Sequence, residues 1–92
     1  MIDKDKFHVL KYVEKEDYIG SMDGMRYMLH KDGEEIEVVI WPEPDSFGAT
    51  DDALKQRTKV PFSEDGVMRA ADYLNEQYET QRELWEIARK KH

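Results

Sequence analysis

The feature that most constrains this fold is a pair of alternating apolar segments on either side of Asp32-Gly33. An Asp-Gly dipeptide between such segments favours a two-residue β-hairpin turn of type I′. With these two residues as the loop, three apolar pairs lie opposite each other: Met25 with Ile40, Tyr27 with Val38 and Leu29 with Ile36. The sequence therefore predicts a hairpin over 25–41 with one wholly apolar face.

The opposite face of this hairpin is mixed and carries the first candidate binding residues, Arg26, Met28 and Trp41. Such side chains are typical of interaction hot spots, because they bury much area and can still form hydrogen bonds. Two interpretations stay open. Either the three residues form an exposed binding surface, or the C-terminal helix or a loop covers them, with Trp41 in the core and Arg26 paired with Glu37.

The remaining segments before residue 63 are shorter. Phe7–Val13 is predicted as a strand, because apolar residues alternate along it. A Gly-containing loop over 20–24 leads into the hairpin, and Pro42 and Pro44 end it. Thr50 is the expected N-cap of a single helical turn, and 59–62 returns as an extended piece or edge strand.

The C-terminal third predicts one long helix that begins after an N-cap at Ser63 and runs to about Lys90. Apolar residues recur along it at spacings of three and four, with an interruption at Gln81. The predicted stripe consists of Val67, Ala71, Leu74, Tyr78, Trp85 and Ala88, widened by Ala70, Tyr73 and Leu84. Because this arc is wider than packing on one small sheet requires, we expect a homodimer through the C-terminal helix.

Acidic residues recur on the other side of the same helix. This carboxylate ridge consists of Asp72, Glu76, Glu79, Glu83 and Glu86. It is either a binding surface or the solvated side of an amphipathic helix. The predicted fold class is α+β, with an antiparallel sheet of three or four strands in roughly 6–62 and one long helix in roughly 63–90 packed on the apolar face. The 92 residues are expected to form a single domain.

Composition narrows the classes of partner. Twenty-one acidic and fourteen basic residues give a formal charge of −7. This charge opposes direct binding to nucleic acid and favours a protein partner with a basic surface. The sequence has no cysteine and no apolar run near the roughly 20 residues of a membrane span. We therefore expect no membrane association and a cytoplasmic location.

The residues with catalytic potential are sparse. His8, His30 and His92 show no metal-binding spacing, so no metal site is expected. His30 is expected opposite Glu35, in a pair that raises its pKa and serves either as an acid/base or only as an exposed ion pair. No serine lies in a nucleophile motif. The sequence therefore predicts a protein that is not an enzyme and needs no cofactor.

Several motifs carry a family resemblance that covers most of the chain, from about Tyr18 to Tyr78. They are Y-I-G-S-M-D-G-M-R-Y at 18–27, W-P-E-P-D-S-F at 41–47, F-S-E-D-G at 62–66 and L-N-E-Q-Y at 74–78. This pattern resembles a family of small proteins from Firmicutes and their phages or prophages, whose members are often identified as GNAT-family acetyltransferases. That identification implies acetyl-CoA binding through a glycine loop that follows a strand and opens a helix.

The resemblance implies a phage-like context, in which small acidic proteins often inhibit host machinery, including CRISPR effectors. By this analogy the chain is expected to be a non-enzymatic inhibitor of a host-defence or nucleic-acid-handling protein. One alternative is a sponge for a nucleotide signal, with Arg26 on phosphate and Trp41 or Tyr27 stacking on the base. The other is a degenerate GNAT-like protein that binds acyl-CoA.

We predict that the protein does not transfer acetyl groups. Gly20 and Gly24 precede a strand rather than a helix, and Gly66 stands alone at a helix start. No loop therefore offers the row of amides that holds a pyrophosphate. The measurement is acetyl transfer from acetyl-CoA to a panel of amines, and a saturable rate would contradict the prediction.

Overall fold

The computed structural model describes residues 1–90, so His92 lies outside the described residues. In chain order the elements are α1 (Leu10–Lys15), β1 (Tyr18–Met22), β2 (Met25–Asp32), β3 (Glu35–Pro42), β4 (Gln56–Pro61), α2 (Glu64–Thr80) and α3 (Arg82–Lys90). Single 3₁₀ turns lie at Lys4–Lys6 and Asp52–Leu54. The strands form one antiparallel sheet in the order β1-β2-β3-β4. The predicted α+β class, with a four-stranded sheet and a long C-terminal helix, is confirmed.

The β2–β3 hairpin forms from the predicted segments, but its predicted register is wrong by two residues. Tyr27 pairs with Ile40 and Leu29 with Val38. The predicted partners were Val38 for Tyr27 and Ile36 for Leu29. Because successive side chains in a strand alternate between faces, an even shift leaves each residue on its predicted face. The apolar face is therefore as expected, although its cross-strand pairs differ.

Turn chemistry explains this shift. The hairpin loop consists of Gly33 and Glu34, while Asp32 is the last residue of β2. Gly33 has a φ of +63°, and glycine at the first loop position is typical of a type II′ turn. The Asp-Gly turn with two positive φ values instead joins β1 to β2, where Asp23 has a φ of +38° and Gly24 a φ of +104°.

The predicted N-terminal strand over Phe7–Val13 is wrong, because the second half of this segment lies in α1 and no strand forms in residues 1–9 before it. Phe7, Val9 and Val13 are buried. Val9 and Val13 are four residues apart, and this spacing lies on one side of a helix as well as on one side of a strand. The first edge strand is β1, which includes Gly20 and Ser21 of the predicted loop.

The N-terminus is attached to α2 by polar contacts that the sequence pattern did not indicate. The backbone N–H of Ile2 donates to Asn75 Oδ1 at 2.8 Å, and Asn75 Nδ2 donates to the Ile2 carbonyl oxygen at 2.9 Å. This reciprocal pair imitates the bonding between two strands. Lys4 Nζ also lies 2.9 Å from Asp72 Oδ1. These contacts hold the segment before α1 against α2.

The C-terminal helix begins as predicted and is interrupted once. Ser63 Oγ accepts a hydrogen bond from the backbone N–H of Gly66 at 3.0 Å, which confirms Ser63 as the N-cap. The break falls at Gln81, the residue that interrupts the apolar stripe. By contrast, the N-cap of the turn at 52–54 is Asp51, and the Thr50 hydroxyl donates to the Ser46 carbonyl oxygen instead.

Side-chain amides stabilise the break between α2 and α3. Gln81 Nε2 donates to Gln77 Oε1 at 2.7 Å and to Gln56 Oε1 at 2.9 Å, and Gln56 Nε2 donates back to Gln81 Oε1 at 2.7 Å. The Trp85 indole N–H donates to the Gln77 carbonyl oxygen at 3.1 Å. Polar groups that join the helical hydrogen-bond ladder are a known cause of kinks. The break is thus tied to the first residue of β4.

The main core lies between the sheet and the helices. It contains Phe7, Val9, Val13, Met25, Tyr27, Leu29, Ile36, Val38, Ile40, Val60, Val67, Ala70, Ala71, Leu74 and Trp85. A second cluster on the other sheet face contains Met28, Val39 and Trp41. The sheet is therefore buried on both faces near the end of β3.

We predict that Gly24→Ala destabilises the fold by at least about 2 kcal/mol, because φ is positive there and an added Cβ would overlap the Trp85 carbonyl oxygen. Gly48→Ala is the matched control, since nothing lies within 4 Å of its added Cβ, and a change within about 0.5 kcal/mol is expected. Gly33→Ala, strained in φ but open in space, should fall between them. Urea unfolding midpoints measure the order, and equal losses in all three would contradict it.

Candidate functional site

The predicted hot-spot residues Met28 and Trp41 are buried in the second core cluster with Val39. The segment over 43–55, here called the cover segment, lies over them. Its Phe47 ring packs edge-on against Trp41, with the ring centroids 5.6 Å apart. The Trp41 indole N–H donates to the carbonyl oxygen of Asp45 at 2.8 Å. Met28 and Trp41 thus stabilise the fold in this structure and present no surface to a partner.

The cover segment is held in place by its own contacts. Lys55 Nζ lies 3.9 Å from the centroid of the Phe47 ring, a close cation–π geometry. The Thr50 hydroxyl donates to the Ser46 carbonyl oxygen at 2.7 Å, and Thr50 is buried. Phe47 is the one aromatic residue in the segment. A lone aromatic residue soon after an apolar strand was the signal that could have indicated a cover.

Of the two interpretations left open, the structure has the loop-covered one for Met28 and Trp41, but Arg26 does not pair with Glu37 as that interpretation expected. Its guanidinium lies 3.9 Å from Glu43 Oε1, while Glu37 lies 4.0 Å from Arg57 Nε. Arg26 Nε is buried and has no hydrogen-bond partner within residues 1–90. The predicted group of Arg26, Met28 and Trp41 therefore shares one end of one sheet face, but only Arg26 reaches solvent.

The carboxylate ridge is exposed along both α2 and α3. Its first member, Asp72, forms the ion pair with Lys4. Within residues 1–90, no ion pair is found for the other four members, which are Glu76, Glu79, Glu83 and Glu86. None of these four carboxylates therefore lies within 4 Å of a basic nitrogen of the described part of the chain, although Arg82, Arg89 and Lys90 share α3 with Glu83 and Glu86. The ridge is the largest part of the predicted site that stays accessible.

An apolar groove lies beside the ridge, between α3 and the cover segment. Its volume is about 270 Å³, and it is lined by Pro42, Glu43, Pro44, Asp45, Thr50, Leu54, Leu84, Ile87 and Ala88. Three of its apolar side chains, Leu54, Leu84 and Ile87, are exposed. The sequence pattern placed Leu84 on the widened edge of the apolar stripe. In the structure Trp85 and Ala88 of that stripe are buried, and Leu84 at its edge is exposed.

His30 lies on the same sheet face as Arg26 and Met28, at the end nearer the β2–β3 turn. Its cross-strand partner is Glu37 rather than the predicted Glu35. Its Nδ1 lies 2.7 Å from Asp17 Oδ1, a residue just before β1. The hydrogen bond with Asp17 is the largest cause of a raised His30 pKa, and the charges of Glu37 and Asp32 act in the same direction. Both members of the pair are about half exposed, so the bond contributes little to stability.

The structure also bears on the nucleotide, metal and membrane interpretations. Trp41 and Tyr27, the rings proposed to stack on a nucleotide, are both buried. Burial raises the pKa of the Tyr27 hydroxyl above its ordinary value near 10, with a smaller contribution from Tyr18. Within residues 1–90, no group of three or more histidine, aspartate or glutamate side chains could hold a metal ion. No helix in that range is long and apolar enough to cross a membrane.

In comparisons with known proteins, no family model, no curated protein and no solved structure matched this chain. The accessible features that the geometry brings together are the carboxylate ridge and the apolar groove on its flank. Both involve α3.

We predict that stability falls slightly as pH rises through the His30 titration. Because the folded-state pKa is raised, this stabilisation is complete below the ordinary pKa near 6.5 and is lost above the folded-state pKa. The expected loss is a few tenths of a kcal/mol, since the pair is half exposed. Asp17→Asn should lower the His30 titration midpoint in NMR, and Asp5→Asn should not. A midpoint at or below 6.5 in the unaltered chain would contradict the assignment.

Proposed function

We propose that this chain is a non-enzymatic protein-binding domain that presents its carboxylate ridge to a basic surface. Its partner would be a nucleic-acid-handling protein, such as a host-defence nuclease, whose basic groove the ridge occupies in place of nucleic acid. The observation that carries the proposal is the set of four exposed carboxylates on α2 and α3 with no ion pair to the described residues. Such a surface attracts cationic partners and speeds encounter with them.

The formal charge of −7 also favours a partner with a basic surface. Several basic side chains form ion pairs with acidic groups outside the ridge. Arg57 contacts Asp52 at 2.9 Å, Lys59 contacts Asp32 at 3.0 Å, and Arg69 contacts Asp65 at 2.9 Å. These pairs neutralise acidic groups of the sheet and of the first turn of α2. The four ridge carboxylates from Glu76 to Glu86 have no such ion pair within residues 1–90, and this distinguishes them from those acidic groups.

The spacing of the ridge carboxylates limits the affinity for a basic groove that charge alone can provide. From Glu76 to Glu86 the carboxylates recur about every 5 Å, taking 1.5 Å per helical residue. Duplex DNA carries one charge per about 1.7 Å of its axis. The ridge is thus about three times less dense than the polyanion it would displace. Affinity for a basic groove would therefore also require apolar contact or more than one ridge in a particle.

The non-enzymatic part of the proposal is supported by the position of the best acid/base candidate. His30 and Asp17 lie in a shallow depression lined by side chains such as Glu14, Lys15 and Lys31. An open, charged depression keeps water in contact with any bound substrate, whereas catalytic sites exclude it. The depression contains no serine or threonine.

We predict that Glu76→Gln/Glu79→Gln weakens binding of a basic partner roughly threefold to tenfold, because each lost charge at an interface contributes up to about 1 kcal/mol. Glu14→Gln/Glu16→Gln is the matched control. Both variants change the formal charge from −7 to −5, and all four residues are exposed. The measurement is quantitative capture from bacterial lysate at low salt, followed by release with increasing duplex DNA.

Captured proteins should be basic, should be lost with the ridge variant but not with the control variant, and should be displaced by DNA. Equal capture by the two variants would show that only net charge matters and that the ridge is not the binding surface. Captured proteins that DNA does not displace would contradict competition for a nucleic-acid groove.

A further inference from the structure

The apolar groove contains a local concentration of exposed apolar area. Leu54 is 54% exposed, Leu84 42% and Ile87 49%, and all three line the same groove with Pro42 and Pro44. The other large exposed apolar residues of the described chain are scattered singly: Met1, Tyr12, Ile19 and Met68. Scattered apolar residues are normal on a surface, whereas a contiguous patch marks an interaction site. The groove is therefore the exposed apolar feature best placed to bind a partner.

The charge layout of α3 identifies that partner. The first turn of α3 carries Glu83 and its last turn carries Lys90, both beside Leu84 and Ile87, while Arg82 lies on the far side of the helix. An identical helix that approaches in the antiparallel direction brings Glu83 of each copy toward Lys90 of the other. A parallel copy would place like charges together. Antiparallel approach also opposes the two helix dipoles favourably.

The positions of these charges suit such a contact. At 100° per residue, Leu84 and Ile87 project on one side of α3, and Glu83 and Lys90 lie together on its flank, seven residues apart. Residues that flank an apolar seam in this way form the interhelical ion pairs that set partner choice and orientation. Glu83 of one copy then meets Lys90 of the second copy, and two-fold symmetry repeats the pair.

We propose that two copies of this chain associate through an antiparallel pairing of α3, with Leu84 and Ile87 of each copy covering the apolar groove of the other. Glu83 and Lys90 form two symmetric ion pairs across this interface. Glu76 and Glu79, on α2, remain outside it, so the interface does not depend on the proposed function. The dimer would carry two sets of the ridge carboxylates Glu76, Glu79 and Glu86, because Glu83 is paired at the interface, and this doubling addresses the low charge density of one ridge.

A charge-exchange experiment tests the interface, with mass measured by sedimentation equilibrium from about 10 µM to about 1 mM, the range of a weak contact between small surfaces. The unaltered chain should show concentration-dependent dimers. Glu83→Lys alone places lysine against lysine, and Lys90→Glu alone places glutamate against glutamate. Each single variant should weaken dimerisation at least about fivefold, while the double variant should restore it.

The choice of variants separates effects on the helix within one chain from effects on the contact between chains. The double variant puts a cation in the first turn of α3 and an anion in the last, so for the isolated helix it is the least favourable of the three variants. Restored dimerisation in that variant can therefore arise only between chains. An equimolar mixture of the two single variants should also form heterodimers, because each supplies the charge that the other lacks.

Ile87→Glu, whose side chain is exposed in the monomer, should abolish dimerisation while leaving the urea midpoint near that of the unaltered chain. A chain that stays monomeric up to the highest concentration would overturn the inference. Dimers that persist in Ile87→Glu, or that respond equally to the double and single charge variants, would also overturn it, because the contact would then lie elsewhere. Binding of a different protein in the groove of a monomeric chain would also overturn the inference.

Discussion

Burial of Val38 to Trp41 on both faces of the sheet is the constraint on which the rest of this structure depends. These four consecutive residues have at most 1% of their surface exposed. Because neighbouring side chains in a strand point to opposite faces, the end of β3 must be covered twice. The helices cover one face, and the cover segment, with Phe47 over Trp41, covers the other. The free energy gained by burying this run therefore organises both layers.

Alternation in β2 and β3 was sufficient to predict which side chains share a face, but not which residues pair. A shift of two residues preserves every face, so the apolar pattern is equally satisfied by both registers. The choice between them is made by backbone conformation at the turn, where Gly33 takes the first loop position. The N-terminal segment shows a related ambiguity. Val9 and Val13 fit a helix as well as a strand, and docking against β2 and α2 decides in favour of the helix.

The candidate site was predictable to the extent that it follows helical periodicity. Glu76, Glu79 and the other ridge residues are exposed because their spacing opposes the buried stripe, and this relation can be counted in the sequence. The burial of Trp41 depends on the path of a segment with no periodicity, and the apolar groove depends on where that segment meets α3. Contacts of that kind arise from tertiary packing, for which local spacing carries no signal.

The break at Gln81 connects the fold to its surface. Its amide network with Gln56 and Gln77 joins the junction of α2 and α3 to the start of β4. Four residues later, Trp85 is buried with its carbonyl oxygen beside Gly24, and its indole N–H donates to the Gln77 carbonyl oxygen. With Trp85 facing inward, helical geometry requires that Leu84 and Ile87 face the edge of the molecule. Gln81, the polar residue that interrupts the apolar stripe, thus joins the helices to the sheet, while the inward position of Trp85 leaves an apolar groove beside the carboxylate ridge.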